Sequence, residues 1–195
     1  METEGAIQDM SKAAKHSADR ALQAYDALAA AESYPAAKAA WEDFLIHWRR
    51  GLNRCDALGS RSDAHYVRSI NRVKTDAAVT YLWAARNADE HGLASVATVQ
   101  EAAISIGGFG GYEPGVRTGE SGEVIYTFTP TTDDPPPFLA FLPEHLRLEP
   151  IVERARIIPV PPGYDYEVGE VFPAVALARH GLEFLTREVT NLGDP

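Results

Sequence analysis

Twelve of the thirteen prolines in this chain lie after Gly92, and only Pro35 lies before it. Proline removes a backbone donor and its ring clashes with the preceding helical turn. The segment up to Gly92 is therefore open to long helices, and most of the chain beyond it is closed to them. Glycine sharpens the contrast, most densely at Gly107-Gly108-Phe109-Gly110-Gly111. The first part has the alanine-rich composition of helices. The second reads as short strands and loops. The expected architecture is α+β: an antiparallel helical bundle over 1–91, a Pro/Gly-rich β segment over 92–172, and a closing helix over 173–195 that docks on the core.

Three helices are legible before the boundary. The first spans about Asp9 to Ser33, with Ala14, Ala18, Ala21, Leu22, Tyr25 and Leu28 at helical spacing. Pro35 suits the first turn of the second, where its missing N–H has no partner to lose. That helix carries Trp41, Phe44, Leu45, Trp48, Leu52 and Cys55 as one apolar stripe and ends at Gly59-Ser60. Ser62 or Asp63 caps a third helix running to His91. On it Tyr66, Ile70, Val73, Ala77, Tyr81, Ala84 and Ala88 share the expected core face. Arg61, His65, Arg68, Arg72, Val79, Trp83 and Arg86 share the opposite one. That second set reads as a solvated face, or as a basic stripe that tracks phosphates or meets a partner, for which arginine's fork is well shaped.

Strands are expected at 96–106, 123–128, 145–152 and 157–160; Glu123-Val124-Ile125-Tyr126-Thr127-Phe128 has the β-branched and aromatic content of one. Asp133-Asp134-Pro135-Pro136-Pro137 is a loop or a stiff extended spacer. Pro173 opens the last helix, which places Val175, Ala178, Leu182, Leu185 and Val189 on one face.

The net charge of -10 is unevenly spread. Residues 1–91 hold 12 basic and 13 acidic groups and residues 92–195 hold 6 and 15, giving -1 and -9. Within the first part, 45–74 holds 7 basic and 2 acidic groups, a local +5. A positive surface thus survives in an acidic protein. One cysteine, Cys55, allows no intrachain disulfide. The acidic opening residues carry no apolar run of a secretory signal, and no window nears the ~20 apolar residues of a membrane span. A soluble, cytoplasmic protein is expected, with no membrane partner.

The stretch that bears most on function is Arg86-Asn87-Ala88-Asp89-Glu90-His91, where the third helix meets Gly92. It has two readings. As a helix end, His91 complements the helix dipole, Gly92 takes the left-handed position after the helix, and Arg86 pairs with Glu90 four residues on. As a site, an arginine holds a phosphate while a histidine moves a proton. Asp89 and Glu90 place negative charge beside that phosphate.

Arg-Asn-x-x-x-His at the end of a bundle helix resembles the motif of the HEPN superfamily. The resemblance covers the motif and the helical character of about Asp9 to His91, and leaves the second half untouched. It implies a helical bundle, commonly a homodimer, of a kind that often cleaves RNA without metal or other cofactor in toxin–antitoxin, phage-defence and RNA-processing systems. It implies catalytic roles for Arg86 and His91, with Asn87 orienting the substrate or the partner subunit; Arg72 and Arg68 of the basic stripe would add phosphate contacts. The string Tyr81 to Gly92 is also similar to a recurrent element of bacterial proteins with a proline-rich tail, a likeness that implies no function. On an ideal helix Arg86 and His91 stand ~140° apart. Convergence therefore requires the helix to end there, or a second subunit to complete the site across a two-fold axis.

Other chemistry is thinly represented. The 107–111 glycines lack the Gly-Lys-Ser/Thr of a phosphate loop and read as a hairpin, bulge or loop. His47, His65, His145 and His180 have no paired metal-ligand spacing. Cys55 sits on an apolar stripe as a buried thiol. The leading expectation is RNA binding or cleavage. A non-catalytic module that binds a protein partner, in a mobile-element or defence setting, is the alternative, and small-ligand binding by the β segment is a third class.

Overall fold

The computed structural model describes residues 2–59, 71, 75–90, 97–101, 103–107, 112–118, 124–130, 138–142, 145–153, 156–164 and 172–191. Its fold is α+β: three N-terminal helices packed together, small antiparallel sheets and a C-terminal helix. The helices are α1 (Glu2–Ala29), α2 (Tyr34–Gly59), α3 (Ala77–Glu90) and α4 (Pro173–Asn191). The strands are β1 (Ala97–Gln100), β2 (Ala103–Gly107), β3 (Tyr112–Thr118), β4 (Val124–Pro130), β5 (Phe138–Leu142), β6 (His145–Leu148), β7 (Ile151–Glu153) and β8 (Arg156–Ile158). The chain divides into two compact units, Met1–Gln100 with His145–Pro195, and Glu101–Glu144. The compositional boundary at Gly92 falls outside the described residues.

In the first unit the connection between α1 and α2 is four residues long, so they form a helical hairpin. Arg54, near the end of α2, fixes its register. Its Nη1 donates to the Ala13 carbonyl at 2.6 Å and to Ser17 Oγ at 2.5 Å, around the middle of α1. The helices are thus antiparallel. The expected α2 stripe is the heart of the core: Trp41, Phe44, Leu45, Trp48, Leu52 and Cys55 are all buried. From α4, Leu177, Ala178, Phe184, Leu185 and Val189 join it.

Glycine permits the closest approach. A Cβ on Gly181 of α4 would collide with Leu82 Cδ1 of α3 and stand 3.2 Å from Trp48 Nε1. With no side chain there, the Gly181 carbonyl accepts the Trp48 indole N–H at 2.8 Å. The β1–β6 pair sits against the same helices. Tyr81 of α3 donates its hydroxyl to the Glu149 carbonyl at 2.7 Å, and the His145 ring stacks on Phe172 at 4.5 Å between centroids.

The third helix differs from expectation. It is not one run from Ser62 to His91: Asn71 and Thr75 are helical, Asp76 is not, and α3 starts at Ala77. Asp76 is its N-cap, with Oδ1 accepting the Val79 N–H at 3.1 Å and the carbonyl accepting that of Thr80 at 2.9 Å. The buried face of α3 is broader than the expected stripe and takes in Ala78, Leu82 and Ala85 as well. Val79, expected on the exposed face, is fully buried, and Ala77, expected in the core, is exposed. Tyr81, Ala84 and Ala88 are buried as expected.

The second unit holds two antiparallel ladders. Ala103 to Gly107 pairs with Leu142 to Phe138, and Tyr112 to Thr118 with Pro130 to Val124. Four residues separate the ladders on one chain segment and seven on the other, so their registers are offset by three. β3 and β5 lie where no strand is expected from the sequence. Gly115 faces Thr127 so closely that a Cβ would stand 2.5 Å from its Oγ1. Pro114 and Pro130 occupy positions of like parity, so one choice of hydrogen-bonding phase turns both away from the ladder. Val116 and Tyr126 form a cross-strand pair with 67% of each exposed, and Val124 on the same face is also exposed.

Candidate functional site

The candidate site begins at the last turns of α3. Ala84, Ala85 and Ala88 are small, buried and pack the helix down, which leaves Trp83, Arg86 and Asn87 half-buried on the other side. The Asn87 amide donates to Glu153 Oε1 of β7 at 3.2 Å, linking residues 66 apart in sequence. One turn earlier, the Arg49 guanidinium of α2 lies over the Trp83 ring, its central carbon 2.7 Å from the centroid. That ring face is therefore closed to a stacked base.

Of the five expected site residues, the structure brings Arg86 and Asn87 to one half-buried surface. His91, Arg68 and Arg72 lie outside the described residues. Two residues that sequence reasoning missed enter the arrangement: Glu153, which fixes the Asn87 amide, and Arg49, which covers Trp83. Neither carries a local sequence signal, because each contact depends on how distant segments fold together.

A second polar constellation is also invisible in the sequence. His180 Nε2 of α4 and Asp76 Oδ2 are 2.8 Å apart, joining residues 104 apart in sequence. The His180 ring meets the Tyr164 ring edge-on at 6.4 Å between centroids. Burial pushes the Asp76 carboxyl up, but hydrogen bonds from His180 and from the Val79 and Ala78 backbone outweigh it and hold the group below its ordinary value. The Tyr164 phenol is pushed up by burial and by the charges of Asp76 and Glu183. A carboxylate that orients an imidazole is half of a nucleophile-activating device. Here, however, the same carboxylate caps α3, and among the described residues Asp76 is the only hydrogen-bond partner His180 has. The pair ties α4 to the start of α3.

No group of three His, Cys, Asp or Glu side chains arranged to hold a metal occurs among the described residues. Burial, with Glu188 and Asp56 nearby, pushes the Cys55 thiol up to about 12, where it carries no thiolate at neutral pH. No described helix is long and apolar enough to cross a membrane. No protein-family model, curated protein or solved structure matches the chain.

Proposed function

We propose that the end of α3 is an RNA phosphate site of the HEPN type, in which Arg86 and His91 cleave the backbone and Asn87 orients it. The observation that supports this reading is the Asn87–Glu153 contact, which holds a polar amide in place beside a half-buried arginine. In the reaction, His91 takes the proton of a ribose 2′-OH, whose oxygen attacks the adjacent phosphorus. The bond to the 5′ oxygen breaks, that oxygen takes a proton from water, and a 2′,3′-cyclic phosphate remains. Arg86 stabilises the charge that builds on the phosphorane oxygens, and an imidazole with an ordinary value near pH 6.5 suits the proton transfer. Because Arg86 and His91 are five residues apart, the reading requires His91 to leave the helical path or a second copy of the chain to supply it.

The test is cleavage of a mixed RNA panel in EDTA. Wild type should cut, and Arg86→Ala and His91→Ala should each remove ~10²-fold or more of the rate. An intact panel, or variants that cut like wild type, overturns the proposal.

The same contact favours a second reading, in which Arg86 and Asn87 finish a helix and tie it to β7 within a protein-binding module. That reading predicts no cleavage, together with a stability loss of about 1 kcal/mol in Glu153→Ala that Glu153→Gln, which retains an acceptor oxygen, avoids.

A further inference from the structure

The antiparallel register of α1 and α2 brings a second set of basic groups together, well away in sequence from Arg86 and His91. Arg54 of α2 reaches Ala13 and Ser17 of α1. One turn back along α2 is Arg50, and the matching turn forward along α1 carries Arg20. His47 is three residues before Arg50, and His16 is four before Arg20, so each pair shares a helix face. His16, Arg20 and Arg50 are exposed and His47 is half-buried. Three of these groups act electrostatically on the fourth: Arg20, Arg50 and His16 all bear on His47, opposed by one acid, Asp43. Arg20 donates to the neutral Gln23 at 3.0 Å. Arg50, His47 and His16 form no hydrogen bond or ion pair with a described residue.

We infer that His16, Arg20, His47 and Arg50 form a phosphate-binding site on the α1–α2 hairpin. Three other exposed basic groups on the helices lie within 4 Å of a carboxylate: Lys12 of Asp9, Lys38 of Glu42, and Arg179 of Glu183. Around His47, by contrast, three basic side chains bear on the imidazole against one acid. Two guanidinium groups supply paired N–H donors that fit phosphate oxygens, and the two imidazoles add ring N–H donors. Burial, then Arg20 and Arg50, hold His47 below its ordinary value, so the site is short of protons until an anion offsets the positive field. Binding a phosphate should therefore draw a proton onto His47. The chemistry is shared by free phosphate and by the phosphodiester of a nucleic-acid backbone. The inference stands whether or not Arg86 and His91 are catalytic.

The test is NMR of the histidine ring signals of the full chain, titrated with inorganic phosphate and separately with the dinucleotide UpU. Sodium chloride at matched ionic strength is the control, and His180, on α4, is the internal reference. The His47 and His16 signals should move and saturate, the His47 titration midpoint should rise, and His180 should stay still. Arg20→Gln with Arg50→Gln should weaken binding about tenfold or more, the loss of at least one charge-assisted contact. Saturation by phosphate alone assigns a free phosphate, and saturation by UpU as well assigns a backbone diester. Both outcomes support the site. Movement no larger than sodium chloride gives, or equal movement at His180, overturns it using wild-type protein only. Undiminished binding in the folded double variant overturns it as well.

Discussion

The apolar stripe of α2 and the apolar face of the β3–β4 ribbon meet different surroundings. In the helical unit the α2 stripe from Trp41 to Cys55 is buried without exception, while Leu22, at helical spacing on α1, is exposed. In the 101–144 unit, β3 and β4 pair as an amphipathic ribbon, yet Val116, Val124 and Tyr126 on one face are exposed. Periodicity thus specifies which side of an element is apolar, but not that something covers it. A helix in a bundle has neighbours on several sides, and a two-stranded ribbon has only its own two faces.

The contrast can be broken most severely at the junction of α2, α3 and α4. Trp48→Ala removes a buried indole and its hydrogen bond to Gly181 and should cost about 3–5 kcal/mol, read from urea unfolding. Gly181→Ala places a methyl against Leu82 and Trp48. It should cost about 1–3 kcal/mol by overpacking, although alanine is the better helix former. A neutral result at either position would mean that α4 is not seated as described.

Asp76 gives a smaller effect with a pH signature. Asp76→Ala loses the α3 cap and the His180 partner and should cost about 1–2 kcal/mol. Because the folded carboxyl is held below its ordinary value, its ionised form contributes stability that is present above the unfolded value near 3.9 and is lost as pH falls through the folded one. The gap between wild type and Asp76→Asn in thermal melts should therefore be full at pH 6 and close at more acidic pH. A gap that does not change between pH 6 and pH 2 would mean that the charge of Asp76 contributes nothing. The smallest effects belong to the ribbon. Val116→Thr and Tyr126→Thr should shift unfolding by about 0.5 kcal/mol or less, and a larger loss would show that this face is covered.

The legibility of each feature in the sequence depends on the range of the interaction behind it. The α2 stripe, Pro35 in the first turn of α2, the Gly59 end and the α4 start at Pro173 are local and can be read directly. The restart at Asp76 cannot. An aspartate within an alanine-rich run differs little from many of its neighbours in helix propensity, and its value as a cap depends on the preceding helix stopping. β3 hides behind Pro114 and Gly115, which local rules count against a strand but which a two-stranded ribbon tolerates at outward-phase and close-approach positions. β5, Phe138-Leu139-Ala140-Phe141-Leu142, lacks the alternation that marks a strand. At the candidate site Arg86 and Asn87 are legible as a motif. Glu153 is not, because its contact depends on β7 packing beside α3. The His180–Asp76 tie and the Arg20–His47–Arg50 convergence likewise exist only once helices pair.

Phosphate chemistry at Arg86 and His91, as proposed, would leave its signature on the ends of the RNA. The most direct measurement is the end-group analysis of RNA incubated with the purified chain in EDTA, by mass spectrometry. Cleavage at this site predicts fragments ending in 2′,3′-cyclic phosphate, with 5′-hydroxyl partners, that disappear in Arg86→Ala and His91→Ala. Intact RNA, fragments with 3′-hydroxyl and 5′-phosphate ends, or cleavage that survives both substitutions would contradict it.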